Sequence, residues 1–329
     1  MGARITKIES FFPEKILTNE VLSDRFPEWT PDMIEKKLGI VQRHVVSDNE
    51  TALDLAIEAG KKVLENFDKN SIDFLILCTQ SPDYYLPTSA CILQDKLNLP
   101  TNIGAFDFNL GCSGFVYGLG IAKGLIESNI SNKILFITSE TYTKNINPLD
   151  KSNLTIFGDA AAATIIERSE SEHILDFVFG TDGKGAHNLI IPNGGLRNRY
   201  DKDALLINEK DNARTANDLY MNGPEIFTFT IKEIPELIHK TLEKNQIQFG
   251  DIDYFIFHQA NQYMLEYLRK KLAIPENKFF MDMKYTGNTV SSTIPVALQQ
   301  SSNKFKKGDL VLLAGFGVGY SWGATIIRI

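Results

Sequence analysis

The sequence predicts an α/β fold in which one α/β unit occurs twice along the chain. Short apolar runs alternate with longer amphipathic runs, as strands alternate with helices in proteins of this class. The apolar runs contain few polar residues, which is typical of strands in a sheet that helices cover on both faces. Two pairs of similar segments, each separated by about half of the 329 residues, indicate that the unit is duplicated.

The strands and helices follow from the length and the period of each apolar run. Short runs rich in β-branched and aromatic side chains predict buried strands. The predicted strands are, in chain order, Phe74–Thr79, Ile103–Asn109, Lys133–Thr138, Ala161–Ile166, Tyr254–His258, Lys278–Met283, Leu310–Ala314 and Gly323–Arg328. Longer amphipathic runs predict helices. The predicted helices are Thr51–Glu65, Thr88–Leu97, Cys112–Ser128, Gly223–Asn245, Tyr263–Leu272 and Val290–Ser301.

The internal repeat consists of two pairs of segments. The segment 73–80 resembles 253–260, and both precede a helix and then a second strand. The tetrapeptide Ala-Thr-Ile-Ile at 163–166 recurs at 324–327. Because both pairs keep the same order at similar offsets, a duplicated α/β unit is indicated.

The repeat divides the chain into two predicted halves. We predict an N-terminal half at 1–170 and a C-terminal half at 171–329, with the boundary near Ser169–His173. The polar stretch Gly194 to Asp218 has no useful periodicity. It is interpreted as a long surface excursion, either a substrate-facing loop or an insertion.

Composition and charge exclude several classes of protein. The formal net charge is −7, whereas a general nucleic-acid binder needs a basic face that displaces counterions. The first ten residues mix charged with apolar side chains and lack a signal-peptide pattern. No run approaches the ~18 apolar residues of a membrane span. We therefore expect a cytoplasmic protein that binds no nucleic acid and is not inserted in a membrane.

The cysteines point to one candidate nucleophile. Cys78, Cys91 and Cys112 are widely spaced and form no C-x-x-C pair, so neither a disulfide framework nor a zinc site is expected. Cys112 lies where an apolar strand ends and an apolar helix begins. At such a junction the first unpaired N–H groups and the helix dipole stabilise a thiolate. From this segment alone, Cys112 is either a nucleophile or a buried thiol in a tight turn.

Three further segments in the second half could contribute to a site. His258 ends a strand, where side chains project into a crevice, although a lone histidine there is also consistent with a structural role. Asn288 lies in a polar loop that ordinary turn chemistry would also explain. The segment 315–323 contains four glycines but lacks the Lys-Ser/Thr of a P-loop. Together these residues form a consistent set of catalytic groups. Cys112 would supply a thiolate, His258 and Asn288 two neutral donors for an enolate oxygen, and the glycine-rich segment a backbone donor for an oxyanion.

With these segments in place, the chain resembles the β-ketoacyl-[acyl-carrier-protein] synthase III family of the thiolase superfamily from end to end. The motifs that carry the resemblance are Leu38-Gly-Ile-x-x-Arg43-His, Leu86-Pro, Cys112-Ser-Gly-Phe, Phe157-Gly-Asp-Ala-Ala, His258-Gln-Ala-Asn261, Gly287-Asn288-Thr, and Gly315-Phe-Gly-x-Gly with Trp322-Gly. The resemblance implies a thiolase-like five-layered αβαβα fold built from two duplicated halves, which accounts for the internal repeat.

The resemblance implies an acyltransferase that performs a decarboxylative Claisen condensation. Cys112 would take the acyl group from a primer thioester, and His258 and Asn288 would bind the malonyl thioester carbonyl and favour loss of CO2. The resulting carbanion would attack the acyl-cysteine and give a β-ketoacyl thioester. The backbone N–H groups of Cys112 and Val318 would line an oxyanion hole. No cofactor or metal is implied, and the product would enter fatty acid or specialised lipid, polyketide or surface-glycan biosynthesis.

Substrate-binding positions are also implied. The expected pocket residues are Leu86, Phe157, Phe316, Met33 and Lys37, and the expected carrier-protein docking residues are Lys270 and Lys271. Met33 and Lys37 stand where members that use CoA primers carry Trp and Arg. Thr228 and Tyr263 replace a Lys and an Arg of the docking patch, and Leu86 replaces a Phe or Thr. These departures favour a longer acyl-CoA or a protein-bound acyl group over acetyl-CoA.

The implied partners are acyl-CoA or acyl-carrier-protein substrates and a second copy of the chain. Family members are homodimers in which the loop around Leu86 contributes to the partner's acyl pocket. Two alternatives stay open: acyl transfer to an oxygen or nitrogen acceptor, and a thiol hydrolase with the Cys, His, Asn order of papain-like proteases. The duplicated α/β pattern argues against the hydrolase. The primer, the carrier of the extender, the pathway and the role of residues 194–218 are left open by the sequence.

Overall fold

The computed structural model describes residues 2–209 and 212–329. The strands of this part of the chain are β1 (Gly2–Phe11), β2 (Ile16–Thr18), β3 (Gln42–His44), β4 (Phe74–Cys78), β5 (Gly104–Phe108), β6 (Lys133–Glu140), β7 (Ala160–Ser169), β8 (Val178–Thr181), β9 (Leu189–Ile190), β10 (Ile207–Glu209), β11 (Asn212–Arg214), β12 (Tyr220–Met221), β13 (Tyr254–Phe257), β14 (Leu310–Gly317) and β15 (Ser321–Arg328). The α-helices are α1 (Asn19–Arg25), α2 (Pro31–Leu38), α3 (Ala52–Val63), α4 (Ser89–Lys96), α5 (Gly114–Glu127), α6 (Lys151–Leu154), α7 (Gly223–Asn245), α8 (Gln262–Lys271) and α9 (Thr293–Gln300).

Two mixed sheets share one topology. The first sheet has the strand order β1-β7-β6-β4-β5, in which β4 runs parallel to β5 and β6, while β7 runs antiparallel to β6 and β1. The second has the order β13-β14-β15-β8, with β13 parallel to β14 and the other pairs antiparallel. Phe279 makes a parallel bridge to Phe255 of β13. It occupies the position beside β13 that β5 occupies beside β4 in the first sheet. The two sheets therefore repeat the same arrangement.

Helices cover both faces of each sheet and give five layers. Helices α3 and α4 pack on the outer face of the first sheet, and α7 and α8 lie on the outer side of the second sheet. Helices α5 and α9 contact strands of both sheets and form the layer between them. The repeated segments found in the sequence lie in equivalent strands, β4 with β13 and β7 with β15. The predicted αβαβα fold with duplicated halves is confirmed, and the boundary at residue 170 stays a prediction.

Most predicted elements are confirmed with ends displaced by at most three residues, and α7 has the predicted bounds. The predicted strand Lys278–Met283 is wrong. Lys278 is the last residue of a 3-10 turn, and beyond it the side chain of Gln259, not a neighbouring strand, forms hydrogen bonds with the backbone. Gln259 accepts from the backbone N–H of Asp282 at 2.7 Å and donates to the carbonyl of Phe280 at 3.3 Å. The sequence missed β1, since only its first two residues are buried and the rest are partly exposed and include several charges.

The described part of residues 194–218 contains the antiparallel strand pair β10–β11 and contacts distant segments of the chain. Nδ2 of Asn147 donates to the carboxylate of Asp218 at 2.9 Å. The hydroxyl of Tyr85 donates to the carbonyl of Gly194, whereas residues 210 and 211 lie outside the described part. Among the described helices, none is long and apolar enough to cross a bilayer.

Candidate active site

Cys112 lies between β5 and α5, two residues before the first helical residue. Its side chain is buried, with 5% of the residue exposed. The end of β14 packs directly on it: a methyl group on Gly317 would lie 2.9 Å from Cβ and 3.0 Å from Sγ of Cys112. A methyl group on Gly315 would lie 2.8 Å from the Cys112 carbonyl oxygen. Glycines at these positions therefore let the backbone of β14 approach the thiol closely.

The thiol of Cys112 is protonated at rest. Burial raises its pKa to about 12, and the carboxyl group of Glu140 acts in the same direction. The backbone N–H groups of Cys112 and Val318 hydrogen-bond to the sulfur and lower the pKa, as expected for groups that stabilise a thiolate. Their effect is smaller than that of burial. The sequence predicted the stabilising N–H groups at this junction but did not predict the opposing contribution of Glu140.

His258 directly follows β13 and is held from both its backbone and its ring. Its backbone N–H donates to the carbonyl of Ala314 at 2.8 Å. Its Nδ1 lies 2.8 Å from Oγ1 of Thr293, and its ring meets that of Phe316 edge-on at 5.8 Å between centroids. Burial lowers the pKa of His258 to about 3, so the imidazole is neutral at physiological pH.

Asn288 is fixed by the backbone of a neighbouring loop. Its N–H donates to the carbonyl of Ile156 at 2.9 Å, and its carbonyl accepts from the N–H of Gly158 at 3.0 Å. The side-chain oxygen accepts from the N–H of Val290 at 2.9 Å. The amide nitrogen Nδ2 is therefore the end directed towards His258, and it lies 3.5 Å from Nε2. At that distance any hydrogen bond between the two side chains is weak.

A cavity of about 120 Å³ brings the three polar side chains together. Its lining residues are Cys112, Ile156, Phe157, Leu189, Met221, Gly223, Ile226, Thr230, His258, Ala260, Asn261, Met264, Asn288, Phe316 and Gly317. The lining is mostly apolar, so an acyl group would be desolvated there while its carbonyl meets the polar groups. Phe157 and Phe316, both predicted pocket residues, lie in this wall.

The other predicted substrate residues do not line this cavity. Leu86 and Met33 are exposed, at 82% and 54%. The ammonium group of Lys37 lies 4.7 Å from the ring centroid of Trp29. Lys270 lies 3.8 Å from the carboxylate of Glu266. Their roles, and that of Lys271, whose Nζ donates to the carbonyl of Ile231 at 2.6 Å, stay predictions.

Sequence reasoning missed most of the apolar wall and several polar groups near it. The wall residues Ile226 and Met264 are buried in α7 and α8. A helical pattern of apolar residues does not distinguish those that line a pocket from those that fill the core. Thr293 was also missed. It lies five residues after Asn288 and inside the helix predicted at Val290–Ser301, so the sequence held no signal that its hydroxyl reaches His258.

The arrangement suits acyl transfer through a covalent thioester. A cysteine, two neutral nitrogen groups and backbone N–H donors converge on one apolar cavity, which is the set needed for a nucleophile and for developing negative charge on oxygen. In the described part of the chain, no group of three or more His, Cys, Asp or Glu side chains could hold a metal ion.

Comparisons with known proteins agree with this chemistry. Residues 106–183 match the family model for 3-oxoacyl-[acyl-carrier-protein (ACP)] synthase III, and residues 242–329 match the model for its C-terminal part. The chain is 38% identical to the β-ketoacyl-[acyl-carrier-protein] synthase III of Clostridium perfringens, over 100% of this chain and 99% of that protein. It is 35% identical to the corresponding protein of Caldanaerobacter subterraneus, over 100% and 98%.

Solved structures give the same result. A crystal structure of a 3-oxoacyl-(acyl-carrier-protein) synthase III superposes with a TM-score of 0.98 at 45% identity and covers 100% of both chains. A 3-oxoacyl-(acyl-carrier-protein) synthase from Burkholderia xenovorans superposes with a TM-score of 0.92 at 35% identity, over 100% of this chain and 94% of that chain.

Proposed function

Because the chain belongs to the 3-oxoacyl-[acyl-carrier-protein] synthase III family and is an acyltransferase of the condensing type, we propose that Cys112 is its acyl-accepting nucleophile. In the first step the sulfur of Cys112 attacks the carbonyl carbon of a primer thioester. The new C–S bond forms as the bond to the carrier sulfur breaks, and the proton of Cys112 leaves with the carrier thiol. The N–H groups of Cys112 and Val318 stabilise the tetrahedral oxyanion.

We propose that His258 and Asn288 serve the second step. The malonyl thioester loses CO2, and the electron pair of the broken C–C bond moves onto the thioester as an enolate. Nε2–H of His258 and Nδ2–H of Asn288 donate to the enolate oxygen. The enolate carbon then attacks the acyl-Cys112 carbonyl, so that a C–C bond forms and the cysteine sulfur leaves. The observation that carries this assignment is the convergence of two neutral side-chain nitrogens on the cavity that contains the thiol.

The chemistry argues against a thiol hydrolase. Such an enzyme needs a histidine that takes the proton of the cysteine and an asparagine oxygen that orients this histidine. Here the oxygen of Asn288 accepts from the Val290 N–H instead, and burial keeps the pKa of His258 near 3, far below that of an effective base. No observation favours transfer to an oxygen or nitrogen acceptor.

The cavity supports a small acyl group. Its volume of about 120 Å³ is comparable with that of an apolar protein cavity that binds benzene, so it suits an acyl group of a few carbons. This disfavours the long primer that the replacements at Met33 and Lys37 favoured. By analogy with the relatives' names, the malonyl group would arrive on an acyl carrier protein, for which Lys270 and Lys271 stay the proposed docking residues. A cytoplasmic location likewise stays a prediction.

We propose that the enzyme is a homodimer. Strand β5 is an edge of its sheet, with β4 as its only partner in the described chain. Next to it lies a cluster of exposed apolar side chains, Tyr84, Tyr85 and Leu86. Asp107 of β5 binds the start of α4 just beyond this cluster, where its carboxylate accepts from the N–H of Ser89 at 2.6 Å. An unpaired edge beside exposed apolar surface is a site where a second copy would pack.

The proposed function predicts that His258→Ala and Asn288→Ala separate the two steps. Each variant still forms an acyl adduct on Cys112, because neither side chain is needed for the first step. Each loses on the order of 10²–10³ in malonyl decarboxylation, since one donor to the enolate oxygen is gone. The measurements are intact mass after incubation with an acyl thioester and CO2 release from labelled malonyl thioester. Wild-type rates of CO2 release in both variants would overturn the assignment.

A further inference from the structure

The proton on the His258 ring has two possible positions, and only one is compatible with the proposed role. A neutral imidazole carries one N–H, on Nδ1 or on Nε2, and the hydrogen bond made by one nitrogen sets the state of the other. Donation to the enolate oxygen requires the proton on Nε2, the nitrogen that lies 3.5 Å from Nδ2 of Asn288. Nδ1 must then accept a hydrogen bond, because it is buried.

Thr293 is the side chain that can donate this hydrogen bond. Its Oγ1 lies 2.8 Å from Nδ1 of His258. The hydroxyl also lies 3.0 Å from the carbonyl oxygen of Val290, so its single proton has two available acceptors. That carbonyl already accepts from the backbone N–H of Thr293. The hydroxyl proton can therefore point at Nδ1, because the Val290 carbonyl keeps a donor in the backbone N–H of Thr293.

Without the hydroxyl, the surroundings of Nδ1 would favour the opposite tautomer. The Val290 carbonyl lies 3.0 Å from the Thr293 hydroxyl that contacts Nδ1, and its action as a hydrogen-bond acceptor raises the pKa of His258. A carbonyl can only accept, so next to it Nδ1 would keep the proton and Nε2 would carry a lone pair. A lone pair at Nε2 would repel the enolate oxygen.

We propose that the hydroxyl of Thr293 donates to Nδ1 of His258 and thereby holds the proton on Nε2, where it can stabilise the enolate. Thr293 is thus a positioning residue that acts through His258 and does not touch the substrate. The proposal rests on the donor role of His258 in the proposed function. It also gives a function to the buried side chain of Thr293, which lies at the start of α9 and does not line the cavity.

The test compares Thr293→Val, Thr293→Ser and Thr289→Val in the full-length enzyme. Thr289 is the matched control, because its hydroxyl is also buried in the same segment and has no hydrogen-bond partner among the described residues. The tautomer is read from the ¹⁵N chemical shifts of histidine-labelled protein, in which protonated and unprotonated ring nitrogens are well separated. The His258 signals are assigned by their loss in His258→Ala. Acylation of Cys112 and malonyl decarboxylation are measured on the same samples.

We expect wild type, Thr293→Ser and Thr289→Val to carry the proton on Nε2 and to decarboxylate malonyl thioester at comparable rates. Thr293→Val should move the proton to Nδ1 and lose about 10²–10³ in decarboxylation, with Cys112 acylation retained. A wild-type proton on Nδ1, or an unchanged tautomer in Thr293→Val, would overturn the proposal. If the tautomer changes but decarboxylation does not, Thr293 sets the tautomer without functional effect, and the donor role of His258 fails instead.

Discussion

At the scale of single residues, the proposed nucleophile Cys112 is held in an environment that disfavours its ionisation. Glu140 is fully buried and accepts from the N–H of Gln80 at 3.0 Å and from the hydroxyl of Ser81 at 3.0 Å. Burial raises the pKa of Glu140 to about 8, so the carboxyl group is mostly neutral below that pH. Above it the group becomes negative and opposes formation of the Cys112 thiolate.

This environment predicts a pH-dependent effect of Glu140→Gln. At pH 6 the carboxyl group is protonated in the wild type, so the variant and the wild type should be alkylated at Cys112 by iodoacetamide at similar rates. At pH 9 the variant lacks the negative charge, and its thiolate should form more readily. We expect alkylation to be faster by on the order of tenfold at pH 9.

The rates are best measured by peptide mass spectrometry in a Cys91→Ala background, because Cys91 is exposed. A variant-to-wild-type ratio that is the same at pH 6 and pH 9 would contradict the electrostatic role of Glu140. A faster reaction at both pH values would instead indicate that the substitution opens the cavity.

The polar residues of the site could be predicted from the sequence, and their environment could not. Cys112 and His258 belong to short motifs at strand ends and Asn288 to a short loop motif, where chemistry restricts the residue type. Glu140 ends an apolar strand, and a single sequence does not tell whether such a carboxyl group is buried. Thr293 is important only because three-dimensional packing places its hydroxyl 2.8 Å from Nδ1 of His258.

At the scale of elements, α5 shows how the middle layer holds the site. The helix begins just after Cys112 and packs against both sheets. The ring of Phe115 stacks on that of Phe136 of β6 at 5.6 Å between centroids. Gly118 lies directly against the same Phe136 ring, in a position where a methyl group would overlap it. Gly124 lies in the same helix and has open space around it.

The two glycines predict opposite effects of the same substitution. Glycine in a helix interior is normally less favourable than alanine by roughly 0.5–1 kcal/mol. Gly124→Ala should therefore raise the free energy of unfolding by up to about that amount. Gly118→Ala should lower it by about 1–3 kcal/mol, because the methyl group overpacks the layer. Urea unfolding followed by circular dichroism measures both, and equal effects in the two variants would contradict the packing.

Most of the strands that the sequence predicted are buried along nearly their whole length, while β5 was predicted although it is a partly buried edge strand. β4 and β14 are apolar on both faces, and the central residues of β6 are apolar too, so composition alone identifies these strands. β1 and β8 were missed because they are edge strands with partly exposed residues. The bounds of α7 were predicted because Asn222 caps its start and the apolar period continues for its full length.

At the scale of the whole molecule, the duplicated topology explains where the site lies. Cys112 comes from the first half and follows β5. His258 and Asn288 come from the second half, where His258 follows β13 and Asn288 precedes α9. α5 and α9 are packed between the two sheets, so the residues at the start of each are brought together. The repeat was visible in the sequence, whereas the contact between the halves required the structure.

The proposed dimer predicts a mass in solution of twice the 36.9 kDa of one chain. Leu86→Asp should shift the protein towards the monomer, because it places a charge in the exposed apolar cluster beside β5. Ile130→Asp is the control. Ile130 is also an exposed apolar residue, at 64%, but it follows the C-terminal end of α5, the end away from Cys112. Light scattering coupled to size-exclusion chromatography measures the mass. A wild-type monomer at micromolar concentration would contradict the dimer.

The most direct test of the condensing mechanism is a chase followed by intact-mass spectrometry. The protein is first loaded with a short acyl-CoA, and a malonyl thioester is then added while the protein mass and the products are recorded. We predict that the acyl mass appears on the wild type and on Cys91→Ala, is absent from Cys112→Ala, and disappears on the chase with one β-ketoacyl thioester formed for each adduct lost. An adduct on Cys112→Ala, or a chase that releases only free acid, would contradict the assignment of Cys112 as the acyl carrier of a condensing enzyme.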